Sequence, residues 1–175
     1  MPLIAPDNDR VERNLEIPIG MIAMSSMETK EFVLAGVVMK RLLSGQQTNG
    51  QFCLFENISA GNTKTPIHVH AEDDETIYVM EGALTAVVNG EGHRLTAGQS
   101  IFLERGVPHQ LMNMSGWPAR YILIDTPALF DKFLEEAGHE LRHGEMAGPP
   151  TPEEVDRLRT ASAKFGITLL PDWPA

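Results

Sequence analysis

His68 and His70 stand two residues apart in the stretch "PIHVHAEDDETIYVMEG", and Glu75 follows them after a run of acidic residues. Side chains at i and i+2 of a strand share one face. A strand over "IHVH" therefore aims both imidazoles into the same space, and "ETIYVM" brings a carboxylate back toward it. His109, in "VPHQLMN", supplies a third imidazole from a separate hairpin. Three neutral imidazoles and one carboxylate make a mixed nitrogen and oxygen donor set. Such a set suits one divalent transition metal (Fe, Mn, Ni, Co, Cu or Zn) better than Ca or Mg, which prefer oxygen alone. The donors arise on three strands, so they converge only if the sheet curls into a barrel.

Other polar residues read more plainly. Glu72, Asp73 and Asp74 sit between the two strands and read as a solvated turn. His93, beside the tip of "AVVNGEGHRL", reads as a surface residue. "HELRH", residues 139–143, matches the HExxH zinc-protease pattern, which needs an unbroken helix to align its two histidines. Gly138, Gly144 and Pro149-Pro150 deny it that helix, and no histidine follows His143 to serve as a third ligand. Cys53, in "QFCLFEN", reads as a small buried hydrophobe rather than a reactive thiol.

The elements that must hold the donors are short and β-like. "EFVLAG", "VVMKRLL", "QFCLFENI", "IHVH", "TIYVME", "ALTAVV", "HRLTA", "SIFLE", "HQLMNM" and "ARYILID" are separated by turn signals, and Asn89-Gly90 marks the clearest hairpin. Many short strands at this spacing indicate a sandwich or barrel. By alternation Ile77 and Val79 share Glu75's face and Leu111 shares His109's, while Phe55, Phe102 and Met112 complete the apolar residues expected around the donors. After Thr126 the period changes: Phe130, Phe133, Leu134 and Ala137 mark a helix opened by Thr126-Pro127 and stopped by Gly138. "TPEE" announces a second helix through a Thr151–Glu154 capping box with Pro152 at its first position.

The spacing between residues 61 and 113 resembles the two conserved motifs of the cupin superfamily. Gly61, six residues, His68-Val69-His70, four residues, Glu75, six residues and Gly82 match the first motif, with one residue more than the commonest spacing before His68. Gly98, five residues, Glu104-Arg105-Gly106, two residues, His109, three residues and Asn113 match the second, with Glu104 where cupins often carry proline. That position shapes a turn and binds nothing. The resemblance implies an all-β, single cupin-type double-stranded β-helix barrel (a jelly roll) over residues 31–125. An N-terminal arm over 1–30 and a C-terminal helical extension over 126–175, packed on the barrel, complete the expected domains.

This layout is similar to small bacterial cupins grouped with the quercetin 2,3-dioxygenase family. What that resemblance implies is a divalent metal held by His68, His70, Glu75 and His109. A flavonol would bind at or near it, Glu75 would take the substrate's hydroxyl proton, and dioxygen would open the heterocycle with loss of carbon monoxide. An oxygen-independent isomerase, decarboxylase or lyase, or a non-catalytic small-molecule-binding cupin, uses the same donors.

Composition narrows the partners. Twenty-four acidic residues against fourteen basic give a net charge of −10, which argues against nucleic acid and anionic membrane surfaces. Forty-two per cent hydrophobic and 22% charged residues are ordinary for a globular domain. No apolar run reaches a membrane span, and "MPLIAPDNDRVERN" lacks the charged and apolar regions of a secretory signal, so a cytoplasmic protein is expected. One cysteine suits a reducing compartment. A leading segment this short and acidic does not suit a helix-turn-helix, and cupins commonly pair, so a homodimer is the expected assembly.

Overall fold

The structure, a computed structural model, describes residues 29–171, so the arm expected over 1–30 lies almost wholly outside the described residues. Among the described residues thirteen strands and two helices follow one another. They are β1 (Glu31–Leu34), β2 (Val37–Leu43), β3 (Cys53–Ser59), β4 (Thr63–Lys64), β5 (Ile67–His70), β6 (Asp74–Glu81), β7 (Ala83–Val88), β8 (Glu91–Thr96), β9 (Ser100–Leu103), β10 (His109–Asn113), β11 (Ala119–Thr126), α1 (Phe130–Ala137), β12 (His139–Glu140), α2 (Pro152–Lys164) and β13 (Ile167–Leu170). All ten strands read from the sequence are present.

Every strand pairing is antiparallel, in two sheets. One runs β12-β1-β2-β3-β11-β6-β9, the other β13-β5-β10-β7-β8 with β4 also on β10. The molecule is an all-β jelly roll with two helices, as expected. Alternation builds its inside. Cys53, Phe55, Asn57 and Ser59 of β3 point inward beside Asp125, Leu123, Tyr121 and Ala119 of β11, and these face Glu75, Ile77 and Val79 of β6. Phe55, Ile77 and Val79 are fully buried and form the middle of the core. Phe102 departs from the expectation: Leu103 takes the inward position of β9, and Phe102 faces out at 59% exposure. Met112 lies on the strand face opposite His109 and Leu111.

The local signals are met where they are strong. Asn89 and Gly90 both adopt left-handed backbone (φ 49° and 85°), the geometry of a two-residue hairpin turn that suits them. The Thr151–Glu154 capping box closes as read, with Pro152 opening α2. α1 buries Phe130, Phe133, Leu134 and Ala137 and ends at Gly138, but it begins at Phe130 rather than at Pro127. Asp125, still on β11, is the reason: its Oδ1 accepts the N–H groups of Leu129 and Phe130 and so caps the helix from the strand end.

The "HELRH" stretch is no helix. His139 and Glu140 form β12 against β1, His143 and Gly144 lie in a turn, and His139 is engaged by Glu145 and Glu154. Among the described residues no helix is long and apolar enough to cross a membrane.

Candidate metal centre

The structure brings His68, His70, Glu75 and His109 together, with one donor atom from each inside a mutual distance of 4.8 Å. His68 pairs with His109 across β5 and β10, and Glu75 enters from the opposite sheet on the inward face of β6. His70, Glu75 and His109 are buried and His68 is half-buried.

The hydrogen bonds fix which nitrogens face inward. Nδ1 of His68 lies 2.8 Å from the Pro66 carbonyl, and Nδ1 of His109 lies 3.0 Å from the Val107 carbonyl. Nδ1 of His70 lies 2.5 Å from Asp73 Oδ2. Carbonyl and carboxylate oxygens only accept, so each Nδ1 carries the hydrogen and each Nε2 keeps a lone pair for the shared space. His70 Nε2 is buried there without a hydrogen-bond partner. His109 Nε2 stands 2.9 Å from Glu75 Oε2, and His70 Nε2 stands 3.9 Å from the same oxygen. An Nε2 lone pair comes within 2.9 Å of a carboxylate oxygen only with a cation shared between them, either a proton, which makes the His109–Glu75 contact a hydrogen bond, or a metal ion. The donor set therefore fits a divalent transition metal, with the outer nitrogen of each imidazole anchored as such sites require.

Electrostatics agree. Burial and the His109 imidazole push His68 down to about 4, so it is neutral at pH 7. Burial alone would raise Glu75, but positive charge on the surrounding imidazoles, His70 foremost, and a hydrogen bond from His109 overcome it and hold the carboxyl at about 2; a bound cation would supply that charge where the imidazoles are neutral. For His70, burial favours the neutral ring, yet Glu75 and Asp73 outweigh it and raise its proton affinity.

The acidic turn is more than a solvated bend. Glu72 is exposed, but Asp73 is 2% exposed and bonded to His70. Asp74 accepts from the backbone N–H, Nε and Nη2 of Arg105, tying the first histidine stretch to the loop before His109. Gly106 N–H also donates to the His70 carbonyl at 2.7 Å. His93 is half-buried on β8, away from the cluster. Gly61 has a packing reason to be glycine, because a Cβ there would stand 2.7 Å from the Gly116 and Ser115 backbone. Asn113 likewise binds structure: its amide donates to the Ser59 and Trp117 carbonyls and accepts from Ser115.

Behind Asp73 lies Asp125, a residue whose role spacing alone did not reveal. Its Oδ1 accepts from Leu129, Phe130 and, at 3.4 Å, the buried Cys53 thiol. Its Oδ2 is buried, finds no donor and faces Asp73. The proton must then sit on Asp125 itself, and burial together with Asp73 raises its carboxyl to about 9. Inward parity on "ARYILID" was the available signal. Since its unfolded value is 3.8, this group's stabilising contribution is full below about pH 4 and lost as pH rises toward 9. Asp125→Asn, whose amide supplies the donor without titrating, should melt higher than wild type at pH 8, the gap closing toward pH 4. A variant that melts lower at pH 8 with an unchanged pH slope would refute the protonated carboxyl.

Residues 54–125 match the cupin domain family. The chain is similar to the HTH-type transcriptional regulator PuuR of Escherichia coli, with 33% identity over 95 residues, covering 54% of this chain and 51% of that protein. It is similar to quercetin 2,3-dioxygenase of Bacillus subtilis, with 24% identity over 140 residues, covering 80% of this chain and 41% of that one. Among solved structures it resembles the polyketide cyclase RemF of Streptomyces resistomycificus at 25% identity and TM-score 0.51, covering 57% of this chain and 74% of that chain. The chain thus spans about half the length of the curated relatives it matches. Sheet topology, the positions of the four donors and the family match agree: over residues 54–125 the chain carries a domain of the cupin family.

Proposed function

We propose that this cupin is a metal-dependent enzyme acting on a small enolic or aromatic molecule, with dioxygen as co-substrate. The observation that carries the reading is the convergence of His68, His70, Glu75 and His109 at the end of a largely apolar cavity. Similarity to a quercetin 2,3-dioxygenase supports the oxidative form. A divalent transition metal held by the four donors would acidify a bound hydroxyl and bring substrate and dioxygen together. The three imidazoles, locked through Nδ1, keep their orientation without reorganising. Glu75 is ionised at neutral pH and faces the cavity, so it can accept the substrate's proton. With a carboxyl held near 2 it is a weak base, and it acts only on a hydroxyl made acidic.

Resemblance to RemF, a polyketide cyclase, supports a second reading, an oxygen-independent isomerase, decarboxylase or lyase on the same donors. The experiment that separates them is oxygen uptake by apo-protein reloaded with Fe, Mn, Co, Ni, Cu or Zn in turn, against flavonols and smaller enolisable compounds, with product followed in the same vessel. Uptake requiring both metal and substrate, and absent in His109→Ala, is the expected result. Product formed without uptake moves the assignment to the non-oxidative reading. Glu75→Gln protein that keeps its metal should lose turnover at least about a hundredfold, the usual worth of a positioned base; undiminished turnover would end that role for Glu75.

A further inference from the structure

A cavity of about 80 Å³ lies against the donor cluster, with His68, His70 and Glu75 at one end and Leu111, Leu123 and Phe130 among its apolar walls. Four polar side chains besides the donors interrupt those walls, Asn57, Thr65, Tyr121 and Ser162, of which Thr65 is paired with the Leu111 N–H. Asn57 on β3 is fully buried, and among the described residues neither its Oδ1 nor its Nδ2 meets a partner in good hydrogen-bond geometry. Tyr121, its cross-strand neighbour on β11, brings its hydroxyl against that amide, but the contact falls short of good hydrogen-bond geometry and leaves the amide with unmet capacity. Ser162 on α2 is 1% exposed, and its Oγ is also without a partner. A helical serine ordinarily bonds back to the carbonyl four residues earlier, and this one does not. Buried polar atoms left unpaired cost stability, and a native fold that carries them at one cavity calls for a ligand that pairs them.

We infer that Asn57 and Ser162 form a polar subsite for an uncharged hydroxyl or carbonyl of a compact substrate whose other oxygen reaches the donor cluster. The assignment rests on the metal-enzyme reading above and names the substrate class within it. An amide offers one donor group and one acceptor, and a hydroxyl answers both. None of the residues lining the cavity is Lys or Arg, so a phosphate or second carboxylate would find no counter-charge there. Size points the same way. The volume is near half of the roughly 150 Å³ that accommodates benzene in an engineered core, so it takes about half of a six-atom ligand, the polar end of a compact hydroxy-ketone whose other end lies at the donor cluster, and no fused-ring flavonol.

The test uses the full chain loaded with Co(II), whose visible spectrum reports ligands entering the site. The probes are 3-hydroxybutan-2-one, butan-2-one and 3-hydroxyflavone. The hydroxy-ketone should bind about tenfold more tightly than butan-2-one, the worth of one buried hydrogen bond, with no spectral response to 3-hydroxyflavone. Asn57→Leu should erase that preference, and Ser162→Ala should reduce it, both with unchanged cobalt content. Metal-free Asn57→Leu should also melt about 2–6 °C higher than wild type, because an unpaired amide has been removed. Equal binding of the two ketones, binding of 3-hydroxyflavone, or an Asn57→Leu protein that melts lower with its preference intact would overturn the subsite. Wild type that holds no cobalt would instead overturn the metal centre beneath it, a distinct result.

Discussion

Replacing His70 with alanine should strip the metal and lower the melting temperature together, by more than His68→Ala does. His70 is 1% exposed, presents an unpartnered Nε2 to the cluster and leans on Asp73 through Nδ1. His68 is half-buried and leans only on a backbone carbonyl. Losing His70 removes a donor and also leaves Asp73 in a 2%-exposed position with only the Asp125 carboxyl beside it. Breaking a buried pair from one side costs about 3–5 kcal/mol, or roughly 6–20 °C for a chain of this size. Metal affinity should fall beyond the roughly 10–100-fold that follows loss of a group behind a ligand. Asp73→Asn should land inside that smaller window, since an amide oxygen still accepts from Nδ1 but brings no charge. Competition against a chelator of known affinity, with melts of the metal-free proteins, measures both quantities. A His70→Ala protein with wild-type affinity would refute the centre as drawn.

How much of this was legible in the chain depends on whether a residue's partner is local or distant. The period-two alternation of "CLFENIS" and "ARYILID" carries the inward face of the barrel, and it is obeyed. The i and i+2 histidines, with Glu75 on an alternating strand, carry most of the cluster for the same reason. Asp73 was unreadable as a buried residue because its neighbours Glu72 and Asp74 make the run look solvated. Only the fold back of β5 onto β6 puts it behind His70. Phe102 fails in the reverse sense: an apolar side chain was credited to the inside, whereas the strand's parity gives that place to Leu103. The start of α1 slipped because its cap comes from Asp125 on the preceding strand rather than from Thr126. Asn57 and Ser162 carry no sequence signal at all; their meaning lies in the partners they lack.

Truncation after Pro150 should cost the protein its metal and its cooperative fold, a larger effect than removal of a lid would produce. β5 carries two of the four donors, yet it meets β10 at a single register position, His68 opposite His109. Its continuous partner is β13, where Ile167 to Leu170 pair with His70 to Ile67 residue by residue. Without β13 the histidine strand becomes an edge held at one point, and the buried Leu158, Ala161 and Ile167 leave the core with it. Removing three such side chains costs several kcal/mol, a large part of the roughly 5–15 kcal/mol that stabilises a domain. Thr168→Pro tests the ladder more gently. Thr168 is exposed and pairs with Val69, so the substitution disturbs the backbone of β13 while leaving the core side chains in place. The amides of β5 should then exchange faster with solvent and metal affinity should drop, although no donor has been touched. A truncated protein that stays folded, keeps its metal and changes only in ligand affinity would mean that the C-terminal segment is a cover over the site. Loss of metal alongside faster exchange in β5 would mean that this segment is part of the scaffold that holds the two histidines in register.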